Sequence, residues 1–345
     1  MWRVLRWFKR EQPSAPPTRS HLLNTAHETP AGDDTQLPLR RLEASLFCWL
    51  LDTPPHKLRH EDPNEPEVRQ EIQRRLRQSG LTELPRKPSV LPRLMSALAD
   101  ERINRHDLTE ILLADPSLTT QLLDVANSPF FKPGDQSIES VEHAVFMLGL
   151  DGIRNVASAA IMRPMMAARN SQEALFAQRT WRWGLACARS AELIANTHGG
   201  DGNGFFMVGL LPALSYITLR REVVHIAKGT GDRIAVTPAL IRSLLKSWDW
   251  ETTQKIAEAW HLPPQYHAWL LAAERPAPRT AHSPLNDGII LGTREVLRRA
   301  NQLNLPEDTL QAALQLSESQ FQSIRATLLT MLQSDRPGKP DTSSA

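Results

Sequence analysis

The sequence predicts an all-α fold, and three observations support that class. Apolar residues recur at three- and four-residue spacing over residues 90–274, which is the period of a helix that buries one face. Residues that cap helices precede proline in Asp115-Pro116 and Thr237-Pro238, the arrangement typical of a helix start. No run of alternating β-branched residues is long enough for a sheet. We therefore expect a multi-helix bundle.

Composition excludes several classes of protein. The chain has 345 residues and is 41% hydrophobic, which is enough to bury a large core. Its net charge is only +2, and we expect no nucleic-acid partner because such a partner requires a clustered basic surface. Both cysteines, Cys48 and Cys187, lie in apolar helical runs, so a disulfide framework is not expected and a cytoplasmic location fits.

The first ten residues form a separate pattern. In MWRVLRWFKR, apolar side chains including Leu5 and Phe8 share one helical face, and Arg3 and Arg6 share the other. A basic amphipathic helix of this kind can make a weak contact with an anionic membrane surface, which would place the protein at the inner face of the membrane. The alternatives are a frayed terminus and a helix docked on the protein itself. No segment of the chain is expected to span a membrane.

Proline, glycine and charge divide the rest of the chain. Residues 39–51 predict an amphipathic helix, residues 52–66 a loop, and residues 67–80 a charged helix that ends at Gly80. Two further helices are predicted around residues 286–301 and 307–332. The expected units are a basic N-terminus and disordered linker (1–38), a helical N-terminal extension (39–80), a main domain (81–280), C-terminal helices packed on that domain (281–333) and a disordered tail (334–345).

A specific string of elements begins the main domain. One helix ends before Asp-Pro, a leucine-rich helix ends in Ala-Asn-Ser and an aromatic pair, and an amphipathic helix closes on Leu-Gly-Leu before Arg-Asn. The residues concerned are Asp115, Pro116, Asn127, Ser128, Phe130, Phe131, Gly149, Arg154 and Asn155. In order and spacing this string resembles the HDOD family, the HD-related output domains of bacterial signalling proteins. The resemblance continues more loosely to about residue 332.

The string itself has a structural interpretation. We expect Asn127 to end its helix in the left-handed conformation, which asparagine tolerates. Phe130 and Phe131 are expected to fill the core, and Gly149 to permit a turn or close packing. These residues therefore identify the fold and do not mark a site.

The resemblance also implies where a metal would bind in related enzymes. HD-domain phosphohydrolases carry adjacent His and Asp after a Gly-Leu-Leu segment, with further ligands on the preceding and following helices. Such ligands hold a divalent metal that lowers the pKa of bound water. Aligned on Val-Gly-Leu-Leu, the His-Asp positions here are Pro212 and Ala213. The first histidine corresponds to Trp183, and the downstream ligands correspond to Asp249 and Trp250.

Most of these side chains cannot coordinate a metal, so we expect neither a metal nor another cofactor. Asp249 is interpreted as the N-cap of a helix that begins at Trp250. Trp183 and Trp250 are expected to fill the former metal cavity next to Pro212, since a polar cavity without its metal would hold unpaired groups.

Two other segments imitate functional motifs. The only His-Asp dipeptide is His106-Asp107, and Asp107 with Glu110 has the form of a capping box, so we expect it to cap an early helix. The glycine-rich HGGDGNG segment, residues 198–204, joins two predicted helices. A phosphate-binding loop follows a strand instead, and we expect a flexible turn.

The resulting hypothesis is a non-enzymatic output or scaffold protein of bacterial signal transduction that acts through contacts with an unidentified protein partner. One alternative is a metal-dependent phosphodiesterase or phosphohydrolase of the HD superfamily. A second alternative is a regulatory module that binds a cyclic dinucleotide, for which Arg220-Arg221 and Arg298-Arg299 are the candidate cations.

Overall fold

The computed structural model describes residues 36–99, 103–132, 134, 136–231, 233–273, 283–314 and 316–333. These residues form helices, turns and loops and contain no strand, which confirms the all-α prediction. The predictions for the basic segment at residues 1–10, for the linker up to residue 35 and for the tail at 334–345 lie outside the described residues.

Fourteen α-helices occur in the described part of the chain. They are α1 (Gln36–Leu50), α2 (Pro55–Leu58), α3 (Glu65–Arg74), α4 (Leu91–Ala99), α5 (Arg105–Leu113), α6 (Pro116–Ala126), α7 (Val141–Met166), α8 (Ser171–Thr197), α9 (Gly202–Gly229), α10 (Pro238–Ala259), α11 (Pro264–Ala273), α12 (Pro284–Arg299), α13 (Glu307–Leu314) and α14 (Glu318–Gln333). A π-helical turn, Arg75–Ser79, continues α3 and ends at Gly80.

Three helix boundaries differ from the prediction. Helix α1 begins at Gln36, inside the predicted linker, and α2 lies inside the predicted loop because Pro55 can occupy the first turn of a helix. The single helix predicted for residues 307–332 is divided into α13 and α14. Ser317 and Gln320 form a capping box there, in which the Ser317 N–H donates to Oε1 of Gln320 at 3.0 Å. Apolar residues continue at helical spacing across this boundary, so the sequence pattern predicted one helix where the capping box begins a second.

Side-chain caps fix where several helices begin. Oδ1 of Asp115 accepts hydrogen bonds from the N–H groups of Ser117 and Leu118 at 2.9 and 3.1 Å, as predicted for Asp-Pro. The capping box predicted for Asp107 and Glu110 was wrong by one turn. Asn104 is the N-cap of α5, and its Oδ1 accepts from the N–H of Asp107 at 2.9 Å. Asparagine is as good an N-cap as aspartate, and the helix starts earlier than its apolar pattern.

Helix α9 lies at the centre of the core. Every residue from Gly204 to Leu219 is buried, and α7, α8 and α10 pack around the helix. Helix α12 packs along the other side of α8. Gly288 and Gly292 make this approach possible, because a Cβ atom at either position would lie 2.5–2.6 Å from backbone atoms of Ala191 or Cys187.

Two of the described helices, α7 and α9, have the length and apolar composition of a membrane span. The apolar window of α9 is 94% buried inside the protein, and that of α7 is 56% buried. Burial of this extent is typical of core helices, so these two helices are weak evidence for a membrane protein.

The N-terminal extension contributes to the same core. Leu42, Leu46 and Phe47 of α1 are fully buried, and α1 contacts α8 and α12. The ring of Phe47 stacks on Tyr216 of α9 with 6.1 Å between centroids. The extension therefore supplies apolar area to the main domain, which is the dominant favourable term in folding.

We predict that Phe47→Ala lowers the free energy of unfolding by about 3–5 kcal/mol, because it leaves a cavity beside Tyr216. The measurement is chemical denaturation followed by circular dichroism. Phe146→Ala is the matched control, since Phe146 is 72% exposed, and it should change stability by less than about 1 kcal/mol. Equal effects of the two variants would contradict the central role of the extension.

Candidate functional site

Three neighbouring helices carry the positions that the sequence alignment equates with the metal ligands of related enzymes. Trp183 lies on α8, Pro212 and Ala213 lie on α9, and Asp249 and Trp250 lie on α10. All five residues are buried. Because α9 packs between α8 and α10, the tertiary structure brings these helices together as the alignment implies.

A stack of aromatic rings occupies the middle of this region. The ring of Trp183 stacks on Tyr216 with 4.9 Å between centroids, and Tyr216 stacks in turn on Phe47. Nε1 of Trp183 donates to Oγ1 of Thr293 on α12 at 2.9 Å. Four elements distant in sequence therefore meet at this stack, and the one polar atom of Trp183 has a partner.

Tyr216 is the residue that sequence reasoning missed. It lies about one helical turn after Pro212, so the period of α9 was a signal that could have placed it beside the expected site. Burial raises the pKa of the Tyr216 phenol well above its usual value, and the carboxylates of Asp249 and Glu43 raise it further. The phenol therefore stays protonated and does not supply a phenolate to a metal.

The α8–α9 contact requires small side chains. A Cβ atom at Gly184 would lie 2.6 Å from Cβ of Ala213, so glycine at 184 lets the Ala213 methyl approach the backbone of α8. Pro212 lies inside α9 and has no N–H for the helical ladder. Both positions contribute apolar packing and no metal ligand.

The interpretation of Asp249 as an N-cap was wrong. Helix α10 begins at Pro238 with Thr237 as its N-cap, and Oγ1 of Thr237 accepts from the N–H of Leu240 at 3.1 Å. Asp249 lies in the middle of this helix and is 1% exposed. Leu244, Leu245 and Trp248 continue the apolar period into the Trp-Asp-Trp run, so tertiary burial overrides the local capping preference.

Metal-ligating side chains do not gather within the described ranges. No group of three or more His, Cys, Asp or Glu residues there is arranged to hold a metal ion. Cys187 faces the same region, and burial raises the pKa of its thiol far above the usual value. A thiol that stays protonated is a poor metal ligand and a poor nucleophile.

The first half of the string from Asp115 to Asn155 has structural roles. Asn127 has right-handed backbone angles (φ −82°), so the left-handed cap was wrong. Its Nδ2 donates to the carbonyls of Leu123 and Ile138, and its Oδ1 accepts from the N–H of Ile138. The side chain thus joins the end of α6 to the segment before α7. Its hydrogen bond to the Leu123 carbonyl satisfies a helix-end acceptor that a left-handed turn would otherwise pair with a backbone N–H.

The neighbouring residues of the string also have packing roles. Oγ of Ser128 donates to the carbonyl of Val125 at 2.6 Å. Phe130 is buried and Phe131 half-buried, and Phe131 meets Phe206 of α9 edge-to-face at 6.1 Å. The aromatic pair therefore contributes to the core as predicted, and it fixes the α6–α7 connection against the central helix.

Gly149 bends α7. Its φ of +70° lies in the left-handed region, which favours glycine. A Cβ atom at this position would have no neighbouring atom within 4 Å, so the backbone turn and not close packing explains the glycine. Phe146 and Met147, immediately before the bend, are 72% and 37% exposed. We call the exposed side chains of Phe146, Met147 and Asp151 the kink surface.

The last residues of the string connect to the glycine-rich segment. Arg154 pairs with Asp151 at 3.6 Å, and Nδ2 of Asn203 donates to the Asp151 carboxylate at 3.0 Å. Asn155 is buried. Asp201 caps α9 by accepting from the N–H of Gly204, so residues 198–204 join α8 to the first turn of α9, and the predicted position between two helices is confirmed.

Three of the four arginines proposed for an anionic ligand, Arg220, Arg221 and Arg298, have internal partners. Nε of Arg221 donates to Glu173 at 2.7 Å, and Arg220 donates to the carbonyl of Gln172 at 3.0 Å. Nε of Arg298 donates to Glu295 at 2.9 Å. A ligand at either arginine pair would have to displace these contacts, which costs free energy.

Comparisons with known proteins address the family. The family model of the HDOD domain matches residues 84–276. A protein from Shewanella amazonensis SB2B, whose name proposes a metal-dependent phosphohydrolase, is 19% identical with a TM-score of 0.55, over 79% of this chain and 99% of its own. A second protein of that organism, named as a proposed phosphohydrolase, is 16% identical with a TM-score of 0.52, over 77% and 97%. An HDOD domain protein of unknown function from Geobacter sulfurreducens is 20% identical with a TM-score of 0.49, over 76% and 97%. No protein with a curated description matches the chain.

We predict that Tyr216→Phe raises the free energy of unfolding by about 1 kcal/mol. The Tyr216 hydroxyl is buried and has no hydrogen-bond partner among the described residues, so its removal relieves a desolvation cost. Trp183→Phe is the comparison, because it leaves Thr293 unpaired and should be destabilising. Denaturant titration of both variants checks the signs. A marked loss of stability in Tyr216→Phe would show that the hydroxyl is hydrogen-bonded.

Proposed function

The chain belongs to the HDOD domain family, and from that membership we propose that it is a non-enzymatic signal-transduction protein that works as an output or scaffold module through protein–protein contacts. The observation that carries the proposal is the ring stack of Trp183, Tyr216 and Phe47 at the place where a metal would be held. A buried apolar stack offers no ligand for a divalent cation.

The electrostatics of the region support the same proposal. Hydrolysis by a bound metal requires several converging carboxylate or imidazole ligands and an open position for water. Asp249 is the single carboxylate among the five aligned positions. The protonated Tyr216 phenol and the Cys187 thiol beside it add no anionic ligand at neutral pH.

Two structural neighbours have names that propose phosphohydrolase activity, which is the alternative function considered for this chain. Those names describe the two Shewanella proteins, and identities of 19% and 16% relate this chain to them by fold alone. A shared fold supports many functions, so activity has to be argued from the site. The enzyme alternative therefore depends on a ligand set that the aligned positions of this chain lack.

A partner protein needs an exposed apolar anchor, and the kink surface provides one. Phe146 and Met147 are adjacent and exposed, and they directly precede the bend at Gly149. Contiguous exposed apolar side chains form the patches at which partner proteins bind, and aromatic residues dominate the binding energy of interfaces. The Asp151–Asn203 hydrogen bond fixes the polar edge of this surface.

We predict that the purified protein holds less than about 0.1 equivalent of divalent metal, because the aligned positions do not supply a ligand set. Elemental analysis by mass spectrometry measures it. With added Mn²⁺, no hydrolysis of cyclic di-GMP or of bis-p-nitrophenyl phosphate above a buffer blank is expected. About one equivalent of bound metal, or turnover that chelation abolishes, would refute the non-enzymatic proposal.

We predict that Phe146→Ser with Met147→Ser removes the specific partner from proteins captured by the tagged chain in native cell extract. The loss should exceed about tenfold, since aromatic anchors contribute about 2 kcal/mol or more to binding. Quantitative mass spectrometry compares the captured proteins. The matched control is Leu271→Ser on α11, because Leu271 is 61% exposed outside the kink surface. Equal losses in both variants would assign binding to general surface hydrophobicity.

A further inference from the structure

A cavity of about 280 Å³ lies between the N-terminal extension and the first half of α10. Residues 58–61, together with Glu65 and Arg69 of α3, form one wall, and α10 forms the other. The first wall precedes the residues matched by the family model, 84–276. The cavity is therefore made by the extension of this chain and is separate from both the ring stack and the kink surface.

Positive side chains outnumber carboxylates around the cavity. Four arginines and lysines line it against two glutamates, and these are Arg59, Arg69, Arg242 and Lys246 against Glu61 and Glu65. The hydroxyls of Ser243 and Ser247 also line the cavity. A concave site with an excess of cations concentrates anions from solution.

Part of this charge is neutralised within the protein. Nη2 of Arg69 lies 2.8 Å from Oε1 of Glu65, and Oγ of Ser243 donates to the same carboxylate oxygen at 2.5 Å. Nζ of Lys246 lies 3.4 Å from the buried Glu43. These contacts fix the lining side chains, and they leave Arg59 and Arg242 as the cations available to a ligand.

Neither Arg59 nor Arg242 forms an ion pair with another described residue. Nη1 of Arg242 donates to the carbonyl of Leu58 at 3.2 Å, which holds the half-buried guanidinium at the junction of the two walls. Leu58 directly precedes Arg59, so this hydrogen bond brings Arg242 of one wall next to the segment that carries Arg59 on the other, and both side chains line the cavity.

The chemistry of these groups selects the ligand. Guanidinium groups bind phosphate oxygens through paired N–H donors, and a hydroxyl such as that of Ser247 adds a further donor. The cavity volume is close to the lower limit of about 300 Å³ for small-molecule sites, so its size matches a phosphate monoester better than a large dinucleotide. We propose that this cavity binds a small phosphate monoester, with the phosphate between Arg59 and Arg242.

Isothermal titration calorimetry on the full chain tests the proposal with adenosine monophosphate, ribose 5-phosphate and inorganic phosphate, and with adenosine as the unphosphorylated control. The variants are Arg59→Gln and Arg242→Gln, which remove charge and keep hydrogen-bonding groups. Lys255→Gln is the matched control, because Lys255 lies on the same helix, is paired with Glu258 and does not line the cavity. Circular dichroism confirms that each variant is folded.

We expect at least one phosphate monoester to bind, adenosine not to bind, and each arginine variant to weaken binding at least tenfold while Lys255→Gln binds as the wild type does. Bound ligand should also raise the melting temperature of the wild type, since it joins the extension to α10. The proposal is overturned if no phosphate compound binds, or if the arginine variants and Lys255→Gln weaken binding equally. Tighter binding of cyclic di-GMP than of every monoester would also overturn it, by contradicting the size of the site.

Discussion

The contact between α1 and the central helix α9 is the interaction on which the rest of the structure depends. Phe47 of the extension stacks on Tyr216, Tyr216 stacks on Trp183, and Trp183 donates a hydrogen bond to Thr293 of α12. Aromatic side chains bury large areas and restrict the geometry of their neighbours. One stack therefore fixes the N-terminal extension, two helices of the family domain and the C-terminal helices against each other, and it makes the extension a component of the core.

Buried charge gives the extension a second role. Glu222 on α9 is fully buried, and it is satisfied by Arg75 at 2.5 Å and by the N–H of Glu83 at 2.8 Å, both of which precede α4 in the chain. In a second pair the charges are reversed, because Lys246 of α10 in the family domain pairs with Glu43 of α1 in the extension. Removing one partner of a buried pair costs about 3–5 kcal/mol because a charge stays buried without compensation. The ion pairs Arg75–Glu222 and Glu43–Lys246 therefore join the extension to the family domain.

In this arrangement the centre of the molecule and its surface have different roles. The centre holds rings, small residues and protonated groups, which serve packing. The exposed features are the kink surface, where Gly149 bends α7 and leaves Phe146 in solvent, and the cationic cavity at the edge of the extension. A module that recognises partners needs a rigid core and exposed anchors. On our proposals, protein recognition and anion recognition use separate sets of residues.

Local signals in the sequence determined the helical class and the Asp115 and Thr237 caps, because helix period and capping act over three or four residues. The family was recognised from the resemblance of one string of motifs, and the family model over residues 84–276 confirms it. The local signals also predicted helices at Trp183, Pro212 and Ala213, and these residues lie on α8 and α9. They failed for Asp249, which looked like a cap and is buried mid-helix, and for Asn127, whose partner Ile138 is 11 residues away. The meeting of Phe47 with Tyr216, and of Arg59 with Arg242, joins segments separated by more than a hundred residues. Only tertiary packing decides such contacts, because interactions between residues close in sequence do not determine which distant segments meet.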